Sequence, residues 1–263
     1  MKKTLIALAV AASAAVSGSA MAWTANGTGG SVGLGGTLTP VEKVTPWEVK
    51  VGAAVNGLDA NTQKGQKVVD VVVNKAIPVL GIRNANVAGF VGQSGIKPQI
   101  NFGGAVDIDG FTAGVTTLTL NVKDASNSEI GRMTVPFSAA AVLNAQWGEA
   151  GNSNRTIYAA DDIGSFFGGL GKSESAAIVD GTAALNLLNS LDADYLAKFT
   201  TGSSDAWDPA ANGEKFSNAD ITYRASYGAG IEQGKTIKIT LEQPVASDAI
   251  AWKASLPVTI SYQ

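Results

Sequence analysis

Hydrophobic positions in this chain alternate with polar or small ones over short runs, and the alternation is sharpest near its two ends. Close to the start, Gly30-Ser-Val-Gly-Leu-Gly-Gly-Thr-Leu-Thr39 puts Val32, Leu34, Gly36 and Leu38 on one parity. At the C-terminal end, Leu256-Pro-Val-Thr-Ile-Ser-Tyr-Gln263 puts Leu256, Val258, Ile260 and Tyr262 on another. Successive side chains of a strand point to opposite faces, so each segment presents one apolar edge. Two such strands at the ends suit a chain built to exchange strands with other chains.

Between them the pattern predicts further short strands separated by Gly, Asn and Asp turns. They cover 48–51, 67–73, 78–82, 99–102 and 105–108, the last leading to the hairpin signal Asp109-Gly110. Residues 115–122 alternate, with Leu118, Leu120 and Val122 on one face, and 130–137 form another strand with Pro136 near its end. Alternation fades between about Ala139 and Ser217, where Ala, Ser, Gly and Asn dominate. There Asp161-Asp162 predicts a short helix through Phe167. Ala184, Leu185, Leu188 and Leu191 fall at helical spacing within 180–191. Asp192 is placed to cap a further turn carrying Tyr195, Leu196 and Phe199. Strand patterns return at Ile221, Tyr223 and Ala225 and over 235–243. Strands on both sides of a helical interruption predict an all-β sandwich with an inserted subdomain of short helices over about 139–217.

The first residues read as a secretory signal over 1–22. Lys2 and Lys3 start it, an apolar stretch follows over 5–16, and Ala20-Met21-Ala22 gives a small-x-small cleavage pattern. A membrane anchor would need an apolar run of about 18 residues or more. Removing 1–22 takes two of the 19 Lys+Arg and none of the 22 Asp+Glu, leaving 17 against 22 and a formal charge of −5. That balance argues against nucleic acid, which needs a basic stripe. The chain has no Cys and no His. A Ser-His-Asp triad, a Cys nucleophile and an ordinary zinc site are therefore excluded, and no cofactor or metal is expected.

Fragments of catalytic motifs do not survive inspection. Gly171-Lys172-Ser173 resembles the end of a phosphate-binding loop, but Phe166 stands where that loop needs glycine; Gly234-Lys235-Thr236 fails in the same way at Ala229. Ser94-Gly-Ile-Lys97 lacks the companion motifs of penicillin-binding enzymes and reads as a turn with a solvated lysine. Asp107 and Asp109 lack the later ligands of a calcium loop. Trp47 and Trp252 sit in strand-like contexts and read as core. Trp147 and Trp207 sit in the Asn- and Gly-rich middle. Aromatic rings stack on sugar faces while amides and carboxylates bond hydroxyls. Trp147 with Asn152 and Asn154, and Trp207 with Asp205 and Asp208, are thus candidate glycan contacts, against the plainer role of pinning the insertion to the sandwich.

Five segments in one order carry a family resemblance. They are Gly30 to Thr39, Trp47-Glu-Val-Lys-Val-Gly52, Lys97-Pro-Gln-Ile-Asn-Phe102, Gly228-Ala-Gly-Ile-Glu-Gln-Gly-Lys-Thr-Ile237 and Trp252-Lys-Ala-Ser-Leu-Pro-Val-Thr-Ile-Ser-Tyr262. In these the chain resembles the K88 (F4)-like fimbrial subunits, chaperone–usher pilins that include CS31A and F41. The resemblance implies an incomplete immunoglobulin-like sandwich over 41–263, missing its last strand and completed by donor-strand exchange. It implies that the extension 23–40 donates to the groove of a neighbouring subunit through Val32, Leu34 and Leu38, with Gly36 at a shallow place. Leu256, Val258, Ile260 and Tyr262 would border the groove and pair with a periplasmic chaperone before the outer-membrane usher assembles the fibre; Gln263 departs from the usual aliphatic or aromatic terminus. It further implies a cell-surface fimbria whose inserted subdomain binds host carbohydrate. A minor subunit at the tip or controlling length is the alternative. An exported carbohydrate-active enzyme is the remote one: it needs paired carboxylates in a cleft, and the Asp pairs at 161–162, 192–194 and 205–208 read as helix starts and turns.

Overall fold

The computed structural model describes residues 25–28, 31–39, 44–148, 151–162, 164–246 and 248–263. The predicted signal, 1–22, lies outside the described residues. The chain divides into two units, 1–43 and 44–263. In the first, residues 31–39 have no regular secondary structure. Among the described residues no helix is long and apolar enough to cross a membrane.

Among its described residues the second unit contains eleven strands: β1 (Trp47–Val51), β2 (Val68–Val72), β3 (Ile77–Asn84), β4 (Phe90–Val91), β5 (Pro98–Asn101), β6 (Val115–Lys123), β7 (Glu129–Trp147), β8 (Gly151–Thr156), β9 (Thr222–Ile231), β10 (Thr236–Leu241) and β11 (Thr259–Tyr262). One helix, α1 (Gly181–Leu191), is followed by a 3₁₀ turn at Ala193–Leu196, and a second 3₁₀ turn lies at Glu174–Ala176. The fold is thus mostly antiparallel sheet with a small helical insert.

Strand β7 organises the sheet. Its first part, around Met133, lies between β6 and β10. Its second part, around Leu143, lies between β9 and β8. The sheet therefore folds about β7 into two layers, β2-β10-β7-β6 and β1-β3-β9-β7-β8. Val71, Leu118, Met133 and Ile237 from one layer and Leu80, Ile82, Leu143 and Tyr227 from the other share one buried core. Pro136 does not end the strand, as its position suggested. Pairing with β10 stops at Thr134 and pairing with β9 starts at Ser138, so the missing N–H falls at the changeover.

The same strand corrects the expected boundary of the insertion. Residues 139–147 remain in β7, and the irregular region begins beyond β8. Alternation fades there because 138–145 are buried throughout. Ala139, Ala141 and Leu143 face the main core, while Ala140 and Val142 join a second cluster with Ala184, Leu187, Leu188, Leu191 and Tyr195. A layer covered on both faces reads as a continuous apolar run. Gly81, Gly228 and Ala140 lie opposite one another across β3, β9 and β7. This row of small residues makes the bed for the Tyr195 ring and for Leu188; a Cβ at Gly81 would come within 2.2 Å of the ring, and one at Gly228 within 2.6 Å of Leu188.

The predicted helix is present, with Asp180 accepting from the Ala183 N–H at its N-terminus. Asp192 likewise caps the following turn by accepting from Asp194 N–H. The helix expected after Asp161-Asp162 is not there. Gly164 closes a turn onto Asp161, and Phe166 is buried with φ of 61°, outside the helical region.

A cluster of ion pairs fastens the turn after α1 to β1 and β3. Lys50 meets Asp192 at 2.7 Å and Asp194 at 3.2 Å; Arg83 meets Glu48 at 3.0 Å and Asp194 at 3.2 Å; Lys198 meets Glu48 at 2.6 Å. Hydrogen bonds from Lys198 and then Arg83 hold the Glu48 carboxyl below its ordinary range, and those from Lys50 and then Arg83 do the same for Asp194. Lowered carboxyl values stabilise the fold above the ordinary range near pH 4 and lose that effect as pH falls through the lowered values. Unfolding midpoints measured from pH 7 to pH 2 should therefore drop at the acid end. Arg83→Gln should make that drop shallower, because Arg83 alone touches both groups. An acid limb of unchanged steepness in the variant would contradict this assignment.

Candidate functional site

The C-terminal segment keeps strict period two. Trp252, Ala254, Leu256, Val258, Ile260 and Tyr262 are half-buried against the core, and the residues between them are exposed. Its last part, β11, pairs antiparallel with β5, Ile260 opposite Ile100. The pairing continues to the end, where Lys97 and Gln263 exchange both backbone hydrogen bonds at 3.1 Å. Further back, Lys253 exchanges both with Lys123 of β6 at 2.9 Å.

Facing this segment is a groove of about 630 Å³, whose other wall is 51–59. Leu118, Leu120, Met133 and Ile237 form its floor, and Leu256 and Val258 its near wall. A second hollow of about 450 Å³ shares Asp59, Ile250 and Trp252 with it and is floored by Val71, Ile239 and Leu241. Gly52 still donates to Val79 carbonyl at 2.9 Å; beyond it, among the described residues, 53–61 make no backbone hydrogen bond. Backbone groups in a sandwich are normally paired. An apolar floor thus lies beside backbone that is left unpaired.

Residues 31–39, considered by themselves, supply the opposite character. Val32, Leu34 and Leu38 are 76%, 94% and 98% exposed. No other group lies within 4 Å of the place a Cβ would take on Gly36. Three large apolar side chains in the open at alternate positions lack the burial that normally accompanies them.

The candidate glycan residues other than Trp147 gather elsewhere, around the loop 201–208. Asn152 and Asn154 stand on β8, and Asn144 Nδ2 donates to the side-chain oxygens of both. Asn154 Nδ2 donates to the Ser204 and Ala206 carbonyls at 2.6 and 2.8 Å, and Asn152 Nδ2 to the Thr201 carbonyl at 3.1 Å. Asn154 is fully buried, so it carries the loop and is not open to a ligand. Asp205 is exposed and accepts from Thr201 Oγ1; Asp208 accepts from Ser153 and pairs with Arg155 at 3.3 Å. Trp207 stacks on Phe199 with centroids 6.4 Å apart and lies over Gly181 at the start of α1, where a Cβ would meet its ring at 1.9 Å. It is a wedge between loop and helix. Trp147, at the end of β7, is 44% exposed. Sequence reasoning missed Asn144 and Arg224, whose guanidinium donates to Asn144 Oδ1 at 2.9 Å and Gln146 Oε1 at 3.3 Å. Polar residues spaced two apart on β7 and β8 were the available signal.

The family model described as K88-type fimbrial major and minor subunits matches residues 1–263. The K88 fimbrial proteins AC and AB of Escherichia coli are each 34% identical to the chain, and the F41 fimbrial protein of Escherichia coli is 30% identical. Each alignment covers all of both proteins.

Proposed function

The chain belongs to the K88 family of fimbrial major and minor subunits, a family of non-enzymatic fibre components, and from that premise we propose that it polymerises by donor-strand complementation. The extension 30–39 of one subunit lies in the groove of the next, Val32, Leu34 and Leu38 toward the floor and Gly36 at a shallow place. The carrying observation is the pairing, in one chain, of an apolar groove with unpaired backbone and a segment of exposed side chains at period two. Burying each Val or Leu is worth roughly 1.5–3 kcal/mol, so three supply roughly 4.5–9 kcal/mol before the backbone ladder adds its share. An open apolar groove invites aggregation. Before assembly a periplasmic chaperone therefore covers it and pairs with the edge at Leu256, Val258, Ile260 and Tyr262, and the outer-membrane usher exchanges chaperone for subunit. Residues 1–22 direct export.

The region beyond β8 is the adhesive part of this reading, with host-cell carbohydrate as its ligand. Support comes from the exposed Asp205 on the loop 201–208, which buried amides bond to β8, and from the exposed Trp147 at the end of the neighbouring β7. A monomer complemented by its own segment 30–39 fused after Gln263 keeps the groove filled. On a glycan array it is expected to bind, and Trp147→Ala with Asp205→Ala to lose at least about tenfold in affinity, or about 1.4 kcal/mol. Unchanged binding in the double variant would place the receptor contact elsewhere.

A further inference from the structure

The groove and the insertion are joined by one run of backbone hydrogen bonds. The groove wall continues as β11, and β11 pairs with β5. The far edge of β5 takes a segment of the insertion: Phe166 N–H donates to the Pro98 carbonyl at 2.7 Å, and Ile100 N–H donates to the Phe167 carbonyl at 2.8 Å, with Gln99 and Phe167 bridged in parallel. Gln99 Nε2 adds a bond to the Gly164 carbonyl at 2.9 Å. The contact is tight, since a Cβ on Gly168 would lie 2.0 Å from the Ile100 carbonyl oxygen. It is also anchored in the core. Phe166 is fully buried and stacks on Tyr227 with centroids 5.3 Å apart, and Tyr227 Oη donates to the Gly169 carbonyl at 3.1 Å.

From there the run crosses to the other limb of the insertion. Ser165 N–H donates to the Glu214 carbonyl at 2.8 Å, and Asn212 N–H donates to the Thr156 carbonyl at 3.0 Å. Asp208 N–H donates to the Asn154 carbonyl at 2.8 Å, beside the loop 201–208. With a donor strand beside β11, the order becomes donor, β11, β5, 166–168: one sheet made from two subunits, ending in the insertion.

We infer that filling the groove orders the insertion, so that the subunit's receptor region becomes rigid only once a strand completes the sandwich. This rests on the donor-strand reading above. The physical basis is local: β11 and β5 form a sheet of two strands, which is marginal alone, and a third and fourth strand on its two edges stabilise each other through it. Ordering at one edge then lowers the entropy cost at the other. The consequence is a fimbrial unit that does not engage its ligand before assembly.

Hydrogen exchange on the full chain, complemented by a fused copy of 30–39, tests this. The comparison carries Leu34→Ala and Leu38→Ala in the fused copy. Weakening the donor should speed exchange at least about tenfold in 253–262, and also in 98–101, 164–169 and 201–208. Gly168→Val should leave the 253–262 response in place and abolish it at 201–208. A response at 253–262 with none at 164–169 would overturn the coupling and leave donor-strand assembly standing. No response at 253–262 would overturn both.

Discussion

Leu34→Asp is expected to abolish fibres while leaving the subunit exported. Leu34 is 94% exposed in its own chain and central among the three large apolar residues of the extension. In a neighbour's groove it would meet an apolar floor such as Leu118, Leu120, Met133 and Ile237. The substitution removes roughly 1.5–3 kcal/mol of burial and adds several kcal/mol for a carboxylate away from water, about a thousandfold or more in strand affinity. The subunit's own core is untouched. Electron microscopy should show bare cells, with subunit recovered from the periplasm in complex with chaperone; Leu34→Ile should restore fibres. Fibres of normal length from Leu34→Asp would count against the donor assignment.

Tyr195 offers the second large effect, through a contrast between two variants. Its ring is 2% exposed on the bed formed by Gly81, Gly228 and Ala140, and its hydroxyl finds no partner among the described residues. Burial pushes the phenol pKa up, so the group is neutral at any working pH. Tyr195→Ala leaves a cavity beneath α1 and should cost about 3–5 kcal/mol, the range for a large aromatic side chain. For a domain of this size that is a fall of roughly 6–20 °C in melting temperature. Tyr195→Phe keeps the ring and removes an unpaired buried hydroxyl, whose burial costs about 1–3 kcal/mol. It should melt at or above the parent. A Phe variant melting well below the parent would mean that the hydroxyl has a partner that stabilises the fold.

The sequence made the two-faced elements legible and hid those buried on both faces. The C-terminal alternation from Trp252 to Tyr262 is the same in the structure, because one face meets the core and the other meets water. The helix at 181–191 was readable from the spacing of Ala184, Leu185, Leu188 and Leu191; its Asp180 cap emerged only in the structure. Residues 139–147 were not, since β7 there lies between the main core and α1 and no polar face interrupts it. Strand β8, Gly-Asn-Ser-Asn-Arg-Thr, has a composition poor in strand formers. It is held by pairing with β7 and by amides that bond the loop 201–208, both long-range facts. The turn at 161–166 looked like a helix start because Asp favours that position; the left-handed Phe166 and its place against Tyr227 decided otherwise. Among the candidate site residues, the shared inward parity of Leu256, Val258, Ile260 and Tyr262 was readable from period, whereas which of them border the groove was not: Leu256 and Val258 line it. The burial of Asn154 was not, because an asparagine's exposure depends on the loop that closes over it.

The central claim is that the extension of one subunit occupies the groove of another, and a chain without cysteine allows it to be trapped. Positions 33, 35 and 37 alternate with the groove-facing set, and Lys253, Ser255 and Pro257 are the exposed alternates of the groove wall. Neighbouring strands bring opposed Cα atoms to about 4.5–5.5 Å, within reach of a disulfide. Gly35→Cys combined in turn with Lys253→Cys, Ser255→Cys and Pro257→Cys should give, for at least one pair, a ladder of covalent multimers from purified fibres. The ladder should collapse on reduction and be absent from each single variant. Intact fibres that yield only monomers from all three pairs would contradict the account.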